Sequence, residues 1–222
     1  VMACVVLPGI ASAATITADS TAPTGTDIAI VPDPANLAGA PVIRDGSNFT
    51  ATGQSIYGEA GKQVAKVHFR VAGISSGALG AGVRLRFNEM TGPTDYEFSI
   101  NGSTSFAADL PSSISEGDYL HFDLEGAGPN FLGRTYGIVL QFTAEAADRE
   151  IKLWRTVTDD GDIYSDGRWL HCSDVPNDSW VGSSYAGKDV AVWVEYVPEP
   201  ASLMVMALGG GFLALRRRRR TA

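Results

Sequence analysis

Cysteine and histidine are scarce in this 222-residue sequence, and each shortage narrows the chemistry open to it. Of the two cysteines, Cys4 lies in a segment that we expect to be removed, so no disulfide can form within the mature chain. We expect Cys172 to be a buried or half-buried side chain rather than a nucleophile. The three histidines, His68, His121 and His171, show no metal-ligand spacing, and no Gly-x-Ser-x-Gly motif is present. The sequence therefore offers no motif of a metalloenzyme or a serine hydrolase.

Basic residues are also few, 17 against 25 acidic ones, and five of them are arginines clustered at residues 216–220. Without that cluster and Glu199, the body of the chain holds 12 basic and 24 acidic residues. Acidic surfaces repel phosphate backbones, so we expect no nucleic-acid partner.

The sequence has no uninterrupted apolar run of the roughly 20 residues that usually span a bilayer. The 15 residues from Ala201 to Leu215 are uncharged, but as a helix they would span only about 22 Å. Pro198-Glu199-Pro200 precedes this run, and the two prolines end any preceding strand. Five arginines follow it and resist crossing a membrane, which predicts a cytoplasmic end: Arg216, Arg217, Arg218, Arg219 and Arg220.

This order of Val-Pro-Glu-Pro, a short hydrophobic helix and an arginine cluster resembles the PEP-CTERM sorting signal of exported bacterial proteins. The resemblance covers residues 197–222. It implies that exosortase, an integral-membrane cysteine protease, recognises Pro198, Glu199 and Pro200 and cuts there. The body would then pass from a transient inner-membrane anchor to the cell surface or extracellular matrix, often beside exopolysaccharide. The alternative is a permanent single-pass anchor, against which the helix-weakening Gly209-Gly210-Gly211 argues.

The other end of the chain also predicts export. Residues 1–10 are largely apolar and Ala11-Ser12-Ala13 follows, which is typical of the end of a secretory signal peptide cut between Ala13 and Ala14. We expect the start of this peptide to be truncated. A lipoprotein attachment at Cys4 is the alternative, but it would leave the apolar run on the wrong side of the cysteine.

Between the two signals, residues 14–196 predict one all-β domain. Apolar and polar residues alternate with period two, and Gly, Pro, Asn and Asp separate the runs. We expect an antiparallel β-sandwich, jelly-roll-like, of about nine or ten strands. The more continuously apolar runs, Tyr136–Phe142 and Val190–Tyr196, predict central strands, whereas Ala35–Pro41 predicts a loop.

Two loops carry the candidate binding residues of the body. One segment holds four carboxylates and glycines that permit a tight turn: Asp159, Asp160, Asp162 and Asp166. Their spacing does not fit an EF-hand, but carboxylate oxygens are ligands that calcium prefers, so we treat them as a candidate calcium site. Aromatic rings near Asp and Arg side chains could stack on sugars: Trp154, Tyr164, Trp169 and Trp180. Trp169 and Trp180 are predicted to lie exposed in a long loop, whereas Trp193 is predicted to be core.

The sequence thus predicts an exported, non-catalytic surface or matrix protein, associated with exopolysaccharide. A carbohydrate-binding module is the first alternative. An extracellular glycoside hydrolase or polysaccharide lyase, built from paired carboxylates, is the second. His68 and His121 fall on the polar faces of their strands, where we expect solvated side chains rather than catalytic ones.

Overall fold

The computed structural model describes residues 12–45, 48–90, 97–99, 104–157, 164–173, 181–185 and 187–197. Two short 3-10 turns occur, at Pro34–Asn36 and Ser76–Ala78. The rest of the regular structure is extended, as the period-two alternation predicts. The described residues form fifteen strands: β1 Ser12–Ala13, β2 Thr15–Asp19, β3 Ile28–Ile30, β4 Leu37–Asp45, β5 Asn48–Gly58, β6 Val64–Ile74, β7 Gly82–Glu89, β8 Glu97–Ser99, β9 Thr104–Asp109, β10 Tyr119–Asp123, β11 Arg134–Phe142, β12 Glu150–Thr156, β13 Trp169–Ser173, β14 Val181–Tyr185 and β15 Val192–Tyr196.

These strands belong to one sheet that is nearly closed and barrel-like. Its main path runs β1-β9-β7-β11-β5-β4-β12-β6-β10-β2, and β13, β14, β8, β15 and β3 attach to it. Every pairing between the described strands is antiparallel except that of β1 with β9. The predicted all-β antiparallel class is therefore confirmed, but separation into two sandwiched sheets is not.

The longest strands explain why the sheet stays continuous. β6 pairs with β15 through Val64–Phe69 and with β12 through Val71–Ile74, while β10 occupies its other edge. β5 is shared in the same way along one edge, where β4 pairs with Asn48–Thr50 and β11 with Thr52–Gly58, while β13 occupies the other edge. A strand that exchanges neighbours along its length bends, so each of the two links parts of the sheet that face each other.

The core fills the space enclosed by this bend. The alternating apolar residues of β6, β10 and β15 face those of β7, β9 and β11 in one buried cluster, which includes Val67, Phe69, Leu120, Phe122, Val192, Val194, Val83, Leu85, Phe106, Ile138, Leu140 and Phe142. Tyr136–Phe142 is buried throughout and pairs on both edges, as predicted for a central strand. Cys172 is fully buried in a second, smaller cluster, also as predicted.

The prediction of a loop at Ala35–Pro41 was wrong, because Leu37–Asp45 is β4, an inner strand between β12 and β5. Its Ala, Gly and Pro residues have poor strand propensity, yet Ala40 and Val42 are fully buried. Tertiary pairing and burial override the local composition here.

Candidate functional site

Two histidines meet on the outer face of the sheet, where β10 lies against β6. The register places His121 directly opposite His68, and their Nδ1 atoms are 2.7 Å apart. His68 is only 3% exposed, since Trp193 lies opposite it on β15 and His121 lies on its other side. The prediction of solvated histidines was therefore wrong. The alternation within β6 alone predicts that this face is polar and solvated, but side chains from the two neighbouring strands cover it.

A carboxylate flanks each histidine and completes a row of four titratable groups. On β15, Glu195 places Oε1 3.1 Å from Nε2 of His68. On β2, Asp19 places Oδ1 3.4 Å from Nε2 of His121. The amide of Thr21 donates to Asp19 Oδ1 at 2.7 Å, and this bond is the main reason why the pKa of Asp19 is lowered. We call the row Glu195–His68–His121–Asp19 the histidine row.

The histidine row can hold one shared proton beyond two neutral imidazoles. At an Nδ1–Nδ1 contact of 2.7 Å, one nitrogen must donate and the other must accept. If His68 donates from Nε2 to Glu195, its Nδ1 accepts from His121, and a protonated Nε2 of His121 then faces Asp19. Burial, followed by the charge of His121, lowers the pKa of His68 to about 4, which keeps His68 neutral at pH 7.

The histidine row forms part of the wall of an open groove of about 560 Å³ on the outer face. Lys66 and Asp123 supply charges of both signs to the groove. Threonines of β2 and of the segment after it supply hydroxyl groups: Thr15, Thr17, Thr21 and Thr24. Lys66 also lies 3.8 Å from Glu195 across the β6–β15 pair. The lining of the groove is thus mostly polar.

A metal site is not formed in the described part of the chain, where no three His, Cys, Asp or Glu side chains are grouped to hold an ion. Asp166 of the predicted calcium loop lies exposed in a turn after Tyr164. Asp159, Asp160 and Asp162 lie outside the described residues. The calcium hypothesis therefore stays a prediction.

Of the four rings predicted to stack on sugars, Trp169 is buried rather than exposed. Trp169 lies in β13 and is 8% exposed, since the guanidinium of Arg155 sits 4.5 Å from its ring centre and the Tyr185 ring stacks on it at 4.6 Å. The prediction of an exposed loop Trp169 was wrong, because β13 is inserted between β5 and β14. Trp154 is half-buried, and Trp180 lies outside the described residues.

Two further aromatic residues of this region, Tyr164 and Trp193, pack within the fold. Tyr164 is half-buried against the core, and its phenol oxygen accepts from the amide of Tyr57 at 3.1 Å. Burial raises its pKa. Trp193 is 6% exposed and so buried as predicted, but it lies beside His68 on the outer face and outside the two core clusters. Tyr185 remains as an exposed ring of this region, at 39%.

Sequence reasoning missed a fully buried carboxylate, Asp189. Its Oδ1 accepts from Gln54 Nε2 at 2.7 Å and its Oδ2 from the amide of Tyr164 at 3.1 Å. Gln54 Oε1 in turn accepts from the amide of Val190, and the amide of Asp189 donates to Thr156 Oγ1. This network joins β5, β12 and the segment before β15. A lone Asp after Gly187-Lys188 reads as a turn residue, so the sequence carries no signal for it.

The predicted sorting signal, residues 197–222, which we call the tail, begins directly after the last described strand. β15 ends at Tyr196, which is 7% exposed, and the amide of Val197 donates to the carbonyl of Gln63 at 2.7 Å. The predicted recognition residues, helix and arginine cluster lie beyond residue 197, outside the described residues. Within the described residues, no helix has the length and apolar character needed to cross a bilayer.

The structure describes only the last two residues of the predicted signal peptide, Ser12 and Ala13. Ser12 and Ala13 form β1 against β9, and Ala14 is 9% exposed in the core. A cut between Ala13 and Ala14 would remove β1 and leave β2 as the first strand. The cut itself stays a prediction.

Comparison with known proteins identifies one part of the chain. Residues 197–220 match the family described as the PEP-CTERM protein-sorting motif. No curated protein and no solved structure matches the chain. The chain therefore carries a PEP-CTERM protein-sorting motif at residues 197–220, which implies export, sorting by an exosortase and a transient membrane-anchored stage.

Proposed function

We propose that this protein is a non-catalytic structural component of the cell surface or extracellular matrix, delivered there by exosortase and associated with exopolysaccharide. One observation carries the proposal. Every described strand lies before residue 197, and the sorting motif begins at that residue. A cut within Pro198–Pro200 would therefore release the whole body with its core and its sheet pairings intact.

Two features support a role without catalysis. In the histidine row the two Nδ1 atoms face each other and each Nε2 faces a carboxylate, so the nitrogens already have neighbours within the row. Cys172 is fully buried, and burial raises its pKa to about 12, which keeps the thiol protonated and unreactive.

The mass of the mature protein tests the proposed processing. In cells with an active exosortase, we expect a product that runs from Ala14 to about Pro198 and lacks all five arginines. The matched variant changes Pro198, Glu199 and Pro200 to alanine, and we expect it to keep its tail and stay with the membrane. An unmodified protein that retains Arg216–Arg220 in the presence of active exosortase would instead support a permanent anchor.

A second candidate function is binding of neutral polysaccharide. The polar groove supports this function better than the aromatic rings predicted to stack on sugars. Threonine hydroxyls, carboxylates and a lysine around about 560 Å³ match the hydrogen-bonding needs of sugar hydroxyls. The acidic body argues against a polyanionic sugar, because like charges repel. Trp169, by contrast, has little ring surface to offer.

Migration in gels that contain neutral polysaccharides tests this second candidate. We expect Thr17→Val, which keeps shape but removes a hydroxyl, to weaken binding by about fivefold, since one hydrogen bond contributes about 1 kcal/mol. Tyr185→Ala removes an exposed ring outside the groove, and we expect it to leave migration unchanged. The reverse pattern would favour the aromatic surface, and unretarded migration of the unmodified protein would refute sugar binding.

A further inference from the structure

The junction between body and tail is short and fixed on the body side. The amide of Tyr196 donates to Asp27 Oδ2 at 2.7 Å, and the ring of Tyr196 packs edge-to-face on Phe131 at 5.9 Å. Val197 is held in turn through its amide by Gln63. Only four peptide steps separate Val197 from Ala201, where the apolar run of the tail begins. At about 3.5 Å per residue these span at most about 14 Å.

One end of the barrel surrounds this junction, and we call it the C-terminal rim, residues 57–63 and 124–133 with Val197. Backbone hydrogen bonds hold it together: Gly61 N donates to Phe131 O at 2.9 Å, Phe131 N to Lys62 O at 2.8 Å and Val64 N to Pro129 O at 3.1 Å. The side chain of Gln63 donates to the carbonyls of Gly126 and Gly128. The rim is therefore a single surface that moves with Val197.

Two large apolar side chains protrude from this rim. Leu132 is 60% exposed, the highest value among the large hydrophobic residues that the structure describes, and Tyr57 is 46% exposed. The phenol oxygen of Tyr57 lies 3.4 Å from the position that a Cβ on Gly133 would take, so the two side chains share one patch. An exposed Leu beside an exposed Tyr suits a membrane interface, where tyrosine is enriched.

We propose that the C-terminal rim rests against the lipid headgroups while the tail is anchored, with Leu132 and Tyr57 contacting the interface. This inference rests on the proposed function, because it requires the apolar run to enter the bilayer. The headgroup layer is about 5–8 Å deep on each side of the hydrocarbon core. A tether of at most about 14 Å therefore holds the rim at or just above that layer. Glu59 and Glu125 on the rim remain hydrated at this depth.

Site-specific fluorescence quenching in the full-length chain tests the orientation. A Cys4→Ser background leaves Cys172 as the remaining cysteine, and its burial and raised pKa keep it unlabelled. Leu132→Cys places a fluorophore on the rim. Leu79→Cys is the matched control, since Leu79 is also exposed but follows the end of β6 that is farther from the rim, and the ten residue steps of that strand span up to about 33 Å. The vesicles contain phosphatidylethanolamine and phosphatidylglycerol, with a nitroxide quencher attached to some headgroups.

We expect at least fivefold stronger quenching of the label at Leu132 than at Leu79. A ten-residue Gly/Ser linker inserted between Val197 and Pro198 is expected to reduce the Leu132 signal to the Leu79 level. Equal quenching at both positions, or quenching that the linker does not change, would overturn the proposal. So would quenching at Leu132 that requires an added membrane protein, because the rim would then face protein.

Flotation of the same chains with the vesicles separates two kinds of failure. A chain that floats but shows no difference between the two labels refutes the rim orientation and leaves the sorting proposal standing. A chain that does not float refutes the membrane-anchored stage, and the rim orientation with it. Cleavage by exosortase is measured in cells and does not enter this experiment.

Discussion

Asp189→Ala is expected to lower the free energy of unfolding by about 3–5 kcal/mol, because it removes a fully buried acceptor that serves two donors. The buried Gln54 Nε2 and the part-buried amide of Tyr164 would both lose their acceptor. The damage would spread to β5 and the segment before β15, which the same network joins. Urea unfolding, followed by tryptophan fluorescence, measures the change.

Asp166→Ala is the matched control for that measurement, since it removes an exposed carboxylate from the same part of the chain. We expect it to change the free energy of unfolding by less than about 0.5 kcal/mol. Asp189→Asn keeps one acceptor and the shape of the side chain, so its effect should lie between the two. A loss below about 1 kcal/mol for Asp189→Ala would mean that the network contributes little to stability.

The second large effect is expected from pH. His68 has a pKa of about 4 in the folded protein against 6.5 for an ordinary histidine, so the unfolded chain binds the proton more tightly. The contribution to stability is therefore complete above pH 6.5 and is lost as pH falls from there towards 4. A shift of this size corresponds to about 3 kcal/mol. The pKa of Asp19 is also lowered from its ordinary 3.8, so its contribution to stability is lost only as pH falls below that value.

The surroundings of His68 explain why its protonation disrupts the histidine row. Glu195, His121, Lys66 and Asp123 face or flank it from β15, β10 and β6. When both imidazoles are protonated on both nitrogens, two N–H donors face each other at 2.7 Å, and the rings are forced apart.

Unfolding measured at intervals from pH 7.5 to 4 tests this dependence. His68→Gln can still donate to Glu195 and accept from His121, but it does not titrate, and we expect it to flatten the decline by about 3 kcal/mol. Glu145→Gln, an exposed acid elsewhere on the surface, should leave the decline unchanged. Parallel curves for His68→Gln and the unmodified protein would show that His68 is not the titrating group.

The sequence predicts strands well where apolar residues alternate or run together. Lys66–Val71, Val83–Phe87 and Tyr136–Phe142 all lie within strands of the structure. The alternating run Leu120, Phe122 and Leu124 begins in β10, which ends one residue before Leu124. Strands were missed where the local composition is poor, as in Ala38-Gly39-Ala40-Pro41 of β4, or where Asp, Asn and Ser surround them, as in β13. These residues are extended because of the strands beside them, and no short stretch of sequence records its neighbours.

The candidate sites divide along the same line. Residues 197–220 could be recognised from the sequence because the signal is contiguous and its parts act in order along the chain. The histidine row could not, because His68 and His121 are 53 residues apart, and only the register of β6 against β10 brings them together. Shifting that register by one residue would send one histidine to the opposite face.

β15 is the last described strand, yet it lies inside the sheet between β3 and β6. Export that starts from the N-terminus, as the signal-peptide prediction implies, would deliver β15 only after every other strand has emerged. Until then β3 lacks its partner and β6 presents an open edge from Val64 to Phe69. If export follows this order, folding of the body is complete only when the residues just before the sorting motif have emerged. A chain that ends before Val192 would expose the unpaired edges of β3 and β6, which favour aggregation. It would also lack the sorting motif.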